Sequence, residues 1–245
     1  MSSPLFVSSR AIRHAEVDGC RIILDLRSES YRVLDQVGGA MWSILTGEVA
    51  RDAALADLCD RYEVAPARLE ADLAAFAARC VAEQLLEPAG DPARPPESAT
   101  TPGARAGRDG RRPFSVVLSA LRSLVATQRA ISRDGFRATY ERYAIVGVRH
   151  QGLSLAEAVR AFGRAENFFV VRRAPDDCLV RSLSLYRFLR EAGSPAEHVI
   201  GVRRFPFHAH AWVECAGEVV LDTRAPYFTP LARMGDAPST DGPSR

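Results

Sequence analysis

The chain has 245 residues, with 32 basic against 30 acidic side chains and a formal net charge of +2. That length carries two domains, and the absence of an 18-residue apolar run or a charged-then-apolar opening predicts a soluble, cytoplasmic protein with no membrane partner. Lysine is absent, and the five cysteines are odd in number and scattered, which suits reduced thiols rather than a disulfide framework.

Residues 1–88 read as a small separate domain. Asp18-Gly19 is a two-residue hairpin signal between apolar runs. Cys20, Ile22, Leu24 and Leu26 alternate with Arg21, Ile23, Asp25 and Arg27, the pattern of a half-buried strand. Tyr31 to Leu34 predicts a second short strand. Three helical patterns follow. Val37, Met41, Ile44 and Leu45 mark the first, which ends at Gly47. Leu55, Leu58, Cys59 and Tyr62 mark the second. The third has Pro66 in its first turn, where proline is tolerated, then Leu69, Leu73, Phe76 and Cys80. Strands followed by three helices suggest a winged helix-turn-helix, a shape that often reads DNA. Charge argues against that use. Residues 1–88 hold nine Arg and fourteen acids, net −5, and the remainder is net +7. A DNA reader needs a basic footprint, so no nucleic-acid partner is expected.

Residues 89–113 are rich in Pro, Ala, Gly and Arg without apolar period, and predict a flexible linker. It would keep a captured peptide at high effective concentration near the second domain, residues 114–232. Phe114, Val117, Leu118, Leu121 and Leu124 form one helical stripe. Leu155, Val159 and Phe162 form part of another. Arg122, Arg129, Arg160 and Arg181 are either cations for an acidic peptide or solvated helix faces. No Gly-rich phosphate loop is present, so no nucleotide cofactor is expected. Residues 233–245 are polar with Pro and Gly and predict a disordered tail.

Cys178 opens a helix. Asp176 and Asp177 offer caps, Leu179, Leu183, Tyr186 and Leu189 give it a buried face, and Gly193 stops it. In a first turn the helix dipole favours a thiolate, the reactive form. The neighbouring acids oppose that shift, so a base is needed. The bland alternative is a small buried apolar residue.

Two residues further along supply the rest. His208, His210, Trp212 and Glu214 share one side of a strand. If Cys215-Ala216-Gly217 is a three-residue hairpin loop, Glu214 pairs with Glu218, Trp212 with Val220 and His210 with Asp222. Directly opposed residues have Cβ atoms about 4.5–5.5 Å apart, close enough for the carboxylate to hold the imidazole. A two-residue loop would instead put Thr223 opposite His210 and send Asp222 to the other face. Cys178, His210 and Asp222 are therefore the candidate nucleophile, base and orienting group of a cysteine-dependent acyl transfer or hydrolysis. His208 reads as a partly exposed strand histidine, Trp212 as a wall of the site, and Cys215 as an exposed turn residue. A metal bound by Cys178, His208, His210 and Cys215 is a rival use. No C-x-x-C or H-E-x-x-H accompanies them, so no metal is expected.

HAWVE followed by a hairpin and Asp resembles the transglutaminase-like cysteine protease superfamily. The longer pattern is CLVRSLSLYRFLREAG, Gly201-Val202, PFHAHAWVE and a late Asp. It resembles the leader peptidases, or B proteins, of lasso peptide biosynthesis of the microcin J25 maturation type, over roughly residues 168–228. The resemblance implies a catalytic triad of Cys178, His210 and Asp222 that cuts leader from core. It also implies two partners: the leader of a ribosomally made precursor, and an ATP-using, asparagine synthetase-like cyclase, the C protein, that closes the ring.

The stretch from DQVGGAMWSILTG to AAFAARCVAEQLLE is similar to PqqD-like precursor-recognition domains. That similarity implies a leader peptide added as a strand to the sheet edge at Tyr31, Arg32, Val33 and Leu34, against a helix wall including Leu69, Leu73 and Phe76. The expected fold class is thus α+β, a small winged helix-turn-helix-like domain joined to a transglutaminase/papain-like cysteine protease domain. Two other readings stay open: a peptide- or DNA-binding adaptor with an inactive C-terminal scaffold, and a transglutaminase-like acyltransferase.

Overall fold

Asp18 and Gly19 both take positive φ, 50° and 72°, so β2 (Ile12–Val17) turns directly into β3 (Cys20–Asp25) with Val17 opposite Cys20. This two-residue turn is the one the Asp-Gly pair predicts. The computed structural model describes residues 5–89, 113–148, 153–168 and 178–235. The expected linker lies outside them except at its two ends, as do Asp176, Asp177 and most of the expected tail. Arg233 and Met234, assigned to that tail from sequence, belong instead to the last strand. The chain divides into two compact units, residues 1–100 and 101–245.

In the first unit β4 (Ser30–Leu34) pairs with β3, giving a three-stranded antiparallel sheet in the order β2-β3-β4. The outer edge of β4 pairs with no strand among the described residues. Three helices follow as expected: α1 (Gln36–Thr46), α2 (Arg51–Tyr62) and α3 (Pro66–Ala82). The Asp35 side chain accepts the Gly38 N–H at the start of α1, and Gly47 ends it at φ 73°.

The half-buried pattern expected of β3 is wrong: all six of its residues are buried. The face carrying Arg21 and Ile23 is the one that meets the helices. Ile23 joins Trp42, Leu45, Leu73 and Phe76 in the core. Arg21 is tolerated there because its terminal nitrogens are partnered, donating to both oxygens of Glu48 at 2.8 and 3.0 Å and to Ser43 Oγ at 2.9 Å. Two further strands, β1 (Phe6–Ser8) and β5 (Leu86–Pro88), pair with each other. At three residues each they are too short to show alternation in the sequence.

The second unit packs α4 (Pro113–Ala144), α5 (Leu155–Phe168) and α6 (Cys178–Ala192) with a four-stranded antiparallel sheet. Its strands are β6 (Ala196–Arg203), β7 (His208–Cys215), β8 (Glu218–Val220) and β9 (Thr229–Met234), in the order β8-β7-β6-β9. Helix α4 is not continuous. Gly135 sits at φ 79°, ψ 168°, and the chain folds back there. Thr127 and Tyr143, eight residues to either side, join hydroxyls at 3.0 Å. In one straight helix they would stand about 24 Å apart. Ser123 then donates to the Ser184 carbonyl at 2.9 Å, fixing α4 to α6. Among the described residues no helix is long and apolar enough to cross a membrane.

His198 on β6 is wholly buried against α6. It meets Ser182 Oγ at 2.8 Å, and its ring lies edge-on to Tyr140 and Tyr186. Burial pushes its pKa down to about 3. In the unfolded chain it titrates at about 6.5. Below that pH the unfolded state binds a proton that the folded state refuses, so stability present above 6.5 is lost as the medium becomes more acid. The expected slope from this group is about 1.4 kcal/mol per pH unit, flattening near pH 3. Urea unfolding of the wild type and His198→Gln between pH 7 and 4 should show a shallower acid loss in the variant.

Candidate active site

Cys178 is the first residue of α6, whose Leu183, Tyr186 and Leu189 are buried as the spacing predicts. Gly193, at φ 104°, ends the helix with its N–H on the Arg190 carbonyl. The Cys178 sulfur is hydrogen-bonded by the backbone N–H of Ala211 on β7, and by its own. Ala211 has that N–H to give because β8 stops short. β8 pairs with β7 only from Val213 to Cys215. Alternate residues of a strand direct their N–H groups to the same edge, so the donor two residues before Val213 opens onto the thiol.

His210 lies on β7, and its side chain is 1% exposed. Its Nε2 meets Asp222 Oδ2 at 2.8 Å, so Nδ1 is the ring nitrogen that the carboxylate does not engage. Two aromatic rings pack against the imidazole. Trp212 stacks at 6.1 Å and 24°, and Phe228 lies at 5.1 Å. Trp212 is itself fixed, because its Nε1 donates to Glu214 Oε1 at 2.7 Å, and Glu214 Oε2 takes Arg233 of β9 at 2.7 Å. Trp212 stands as the wall expected from sequence, whereas Phe228 and the Glu214–Arg233 contacts behind the indole had no signal beyond the i, i+2 spacing of His210, Trp212 and Glu214.

The expected hairpin register is not the observed one. The loop has two residues, Ala216 at φ 52° and Gly217 at φ 81°, and Cys215 pairs with Glu218. Left in extended pairing, Asp222 would have missed His210, as the two-residue alternative foretold. The rescue is Leu221. It adopts φ 55°, ends β8 and redirects the chain. Asp222 then turns inward, its side chain 6% exposed, with Oδ2 on His210. Its Oδ1 takes the N–H of Arg224 at 2.7 Å and of Ala225 at 3.1 Å, so the carboxylate also starts the short 3-10 helix Ala225–Tyr227.

The charges follow from this packing. Burial would raise the Asp222 carboxyl, but the two backbone donors and His210 outweigh it and hold its pKa below the ordinary value. Burial lowers His210, and Asp222 recovers only part of the fall. Burial also raises the Cys178 thiol, against the Ala211 N–H and the charge of Arg224. The resting site is therefore neutral thiol, neutral imidazole and carboxylate.

Other sequence-predicted residues fall elsewhere. Cys215 is not an exposed turn residue. It ends β7, is buried, and has its thiol pushed up to about 11 by burial. His208 lies against Phe228 at 5.8 Å. Among the described residues no group of three or more His, Cys, Asp or Glu could hold a metal. In the first unit Val33 is 52% exposed and Arg32 is exposed and paired with Glu83. Tyr31 and Leu34 are half-buried. Leu69, Leu73 and Phe76 are buried in the core, so they back the sheet rather than form an open wall.

A cavity of about 590 Å³ between α4 and α6 is walled by Arg129, Arg133, Arg142 and Arg187, but by none of the three candidate catalytic residues. Asp134 already binds Arg133 and Arg142, and Glu191 binds Arg187. It is a surface charge network rather than an extension of the site.

Comparison with known proteins supplies two domain matches. Residues 20–86 match Coenzyme PQQ synthesis protein D (PqqD), and residues 115–233 match the Transglutaminase-like superfamily. Over 46 residues the chain is 48% identical to the Microcin J25-processing protein McjB of Escherichia coli, covering 19% of this chain and 22% of McjB. Among solved structures it is similar to TbiB1 in complex with the TbiA(beta) leader peptide, with 30% identity and a TM-score of 0.30 over 34% of this chain and 98% of that one. It is also similar to lasso peptide synthetase B1 complexed with the leader peptide, with 24% identity and a TM-score of 0.31 over 34% of this chain and 99% of that one.

Gly201, on β6 opposite His210, sets how closely Trp212 can approach. A Cβ there would lie 2.5 Å from Cη2 of Trp212 and 2.9 Å from the Thr229 carbonyl oxygen. Neither the fixed indole nor the strand backbone can yield easily. Gly201→Ala should therefore destabilise the protein by about 1–3 kcal/mol. A thermal melt that matches wild type would show that the indole is not wedged against residue 201.

Proposed function

We propose that this chain, a PqqD domain joined to a transglutaminase-like domain, binds a ribosomally made precursor peptide by its leader and hydrolyses the leader–core peptide bond. The observation that supports the chemistry most directly is the buried His210–Asp222 hydrogen bond beside a Cys178 sulfur hydrogen-bonded to the residue next to that histidine. The identity to McjB, a microcin-processing protein, supports the substrate class.

In this mechanism Cys178 sulfur attacks the carbonyl carbon of the last leader residue as His210 Nδ1 takes the thiol proton. The carbonyl oxygen becomes an oxyanion, for which the Cys178 backbone N–H, at the start of α6, serves as a donor. The peptide C–N bond breaks, and His210 returns the proton to the departing amine, which is the new N-terminus of the core. Water, deprotonated by the same imidazole, then opens the thioester. The leader leaves with a free carboxylate and the thiol is restored. Asp222 keeps the imidazole in the tautomer with Nε2 protonated throughout. The freed amine is the group that a separate ATP-using cyclase would join to a side-chain carboxylate.

The leader is placed on the open edge of β4, along Tyr31 to Leu34, by adding a strand whose backbone hydrogen bonds supply affinity. The exposed side chains there, Arg32 and Val33, are the ones able to touch it. Leu69, Leu73 and Phe76 support that edge from within.

Two outcomes are expected. Cys178→Ala should bind a leader peptide as wild type does and release no core, assayed by fluorescence anisotropy and by mass spectrometry of the products. Release of core by that variant would refute the assignment, and an amide-linked product in place of a free leader carboxylate would favour acyl transfer to an amine. The pH dependence follows from His210. The base acts unprotonated, and its pKa is held below 6.5 by burial, so the acid limb of kcat/KM should fall below pH 6.5. A limb above 6.5 would contradict the neutral resting site.

A further inference from the structure

Resting on the cysteine-triad reading above, we infer that Arg181 is a positioning residue, whose guanidinium ties the helix carrying Cys178 to the corner that aims Asp222 at His210.

Arg181 follows Cys178 by three residues on α6, so the two side chains share a helix face. Its Nη1 donates to the Leu221 carbonyl at 3.0 Å. Its Nε and Nη2 donate to the two carboxylate oxygens of Glu166 on α5, at 2.5 and 3.1 Å. One side chain thus joins α6, α5 and the end of β8. Leu221 is the residue that needs holding. A leucine at φ 55° costs about 1–2 kcal/mol relative to an ordinary backbone. Such a conformation persists where its surroundings over-determine it. If Leu221 relaxed to an extended conformation, the next side chain would leave His210, as the two-residue hairpin register requires.

The ion pair itself is a weak reason to keep Arg181. Its side chain and that of Glu166 are 36% and 24% exposed, and exposed pairs contribute about 0–1 kcal/mol. Nor is it the main cation acting on these groups, since the charge of Arg224 bears on both the thiol and the imidazole. What remains is direction. The planar fork sets two donors on Glu166 while a third is aimed at the Leu221 oxygen, a geometry that lysine cannot copy.

The test uses the full chain and two readouts: leader–core cleavage, and the rate of iodoacetamide alkylation at pH 7, assigned to Cys178 by peptide mass mapping. Arg181→Ala should lower kcat by about 10²-fold, with KM little changed. It should slow Cys178 alkylation to the rate of Asp222→Asn, and the double variant should be no slower than either single one. Arg181→Lys should not rescue. Glu166→Gln, which keeps shape and loses the anchor, should give a smaller loss in the same direction, and it serves if Arg181→Ala fails to fold. Wild-type alkylation in Arg181→Ala and Glu166→Gln, with Asp222→Asn slow, would overturn the role of Arg181 and leave the triad standing. So would multiplying effects of Arg181→Ala and Asp222→Asn. Wild-type alkylation in Asp222→Asn would bring down the triad, and the role of Arg181 with it.

Discussion

A single 2.8 Å hydrogen bond, from His210 to Asp222, dictates how the C-terminal unit must be built. Both side chains are almost sealed from solvent, and a carboxylate removed from water needs several donors to stay charged. Asp222 has three: the imidazole and the two backbone N–H groups that begin the next helical turn. The imidazole in turn needs walls. Trp212 and Phe228 provide them, and a second line of contacts through Glu214 and Arg233 keeps the indole still. The close approach of Trp212 to Gly201 and the early end of β8 serve the same bond.

The unit contains two buried histidines, and their difference is instructive. His198 faces a serine hydroxyl and two tyrosine rings, so nothing compensates a positive charge and the ring stays neutral down to about pH 3. His210 faces a carboxylate, and burial shifts it less. Only the second can gain and lose a proton at accessible cost. Neutral burial makes one histidine a packing element, and a paired carboxylate leaves the other able to take up a proton.

The order of Cys178, His210 and Asp222, the helix behind the thiol and the strand under the imidazole were all legible from residue type and spacing. The register that joins them was not. The left-handed conformations fall on Ala216 and Leu221, residues with no preference for it, whereas sequence reasoning assigns such positions to Gly or Asn. The same limit applies to β3. Arg21 and Asp25 mark a solvent face by composition, yet both are buried, because Glu48 and Arg27, distant or local in the chain, pair with them. Pattern reports which residues dislike water. It does not report which polar residues have found partners.

The outer edge of β4, which pairs with no strand among the described residues, carries an obligation of its own. An unpaired strand edge bearing Val33 at 52% exposure is a template for any extended chain, including the same strand of a neighbouring molecule. Arg32, half exposed and paired with Glu83, sets a charge on the same strand. Two copies aligned antiparallel would bring like charges together and strand their partners. An unrelated peptide with an acidic or neutral residue there would not.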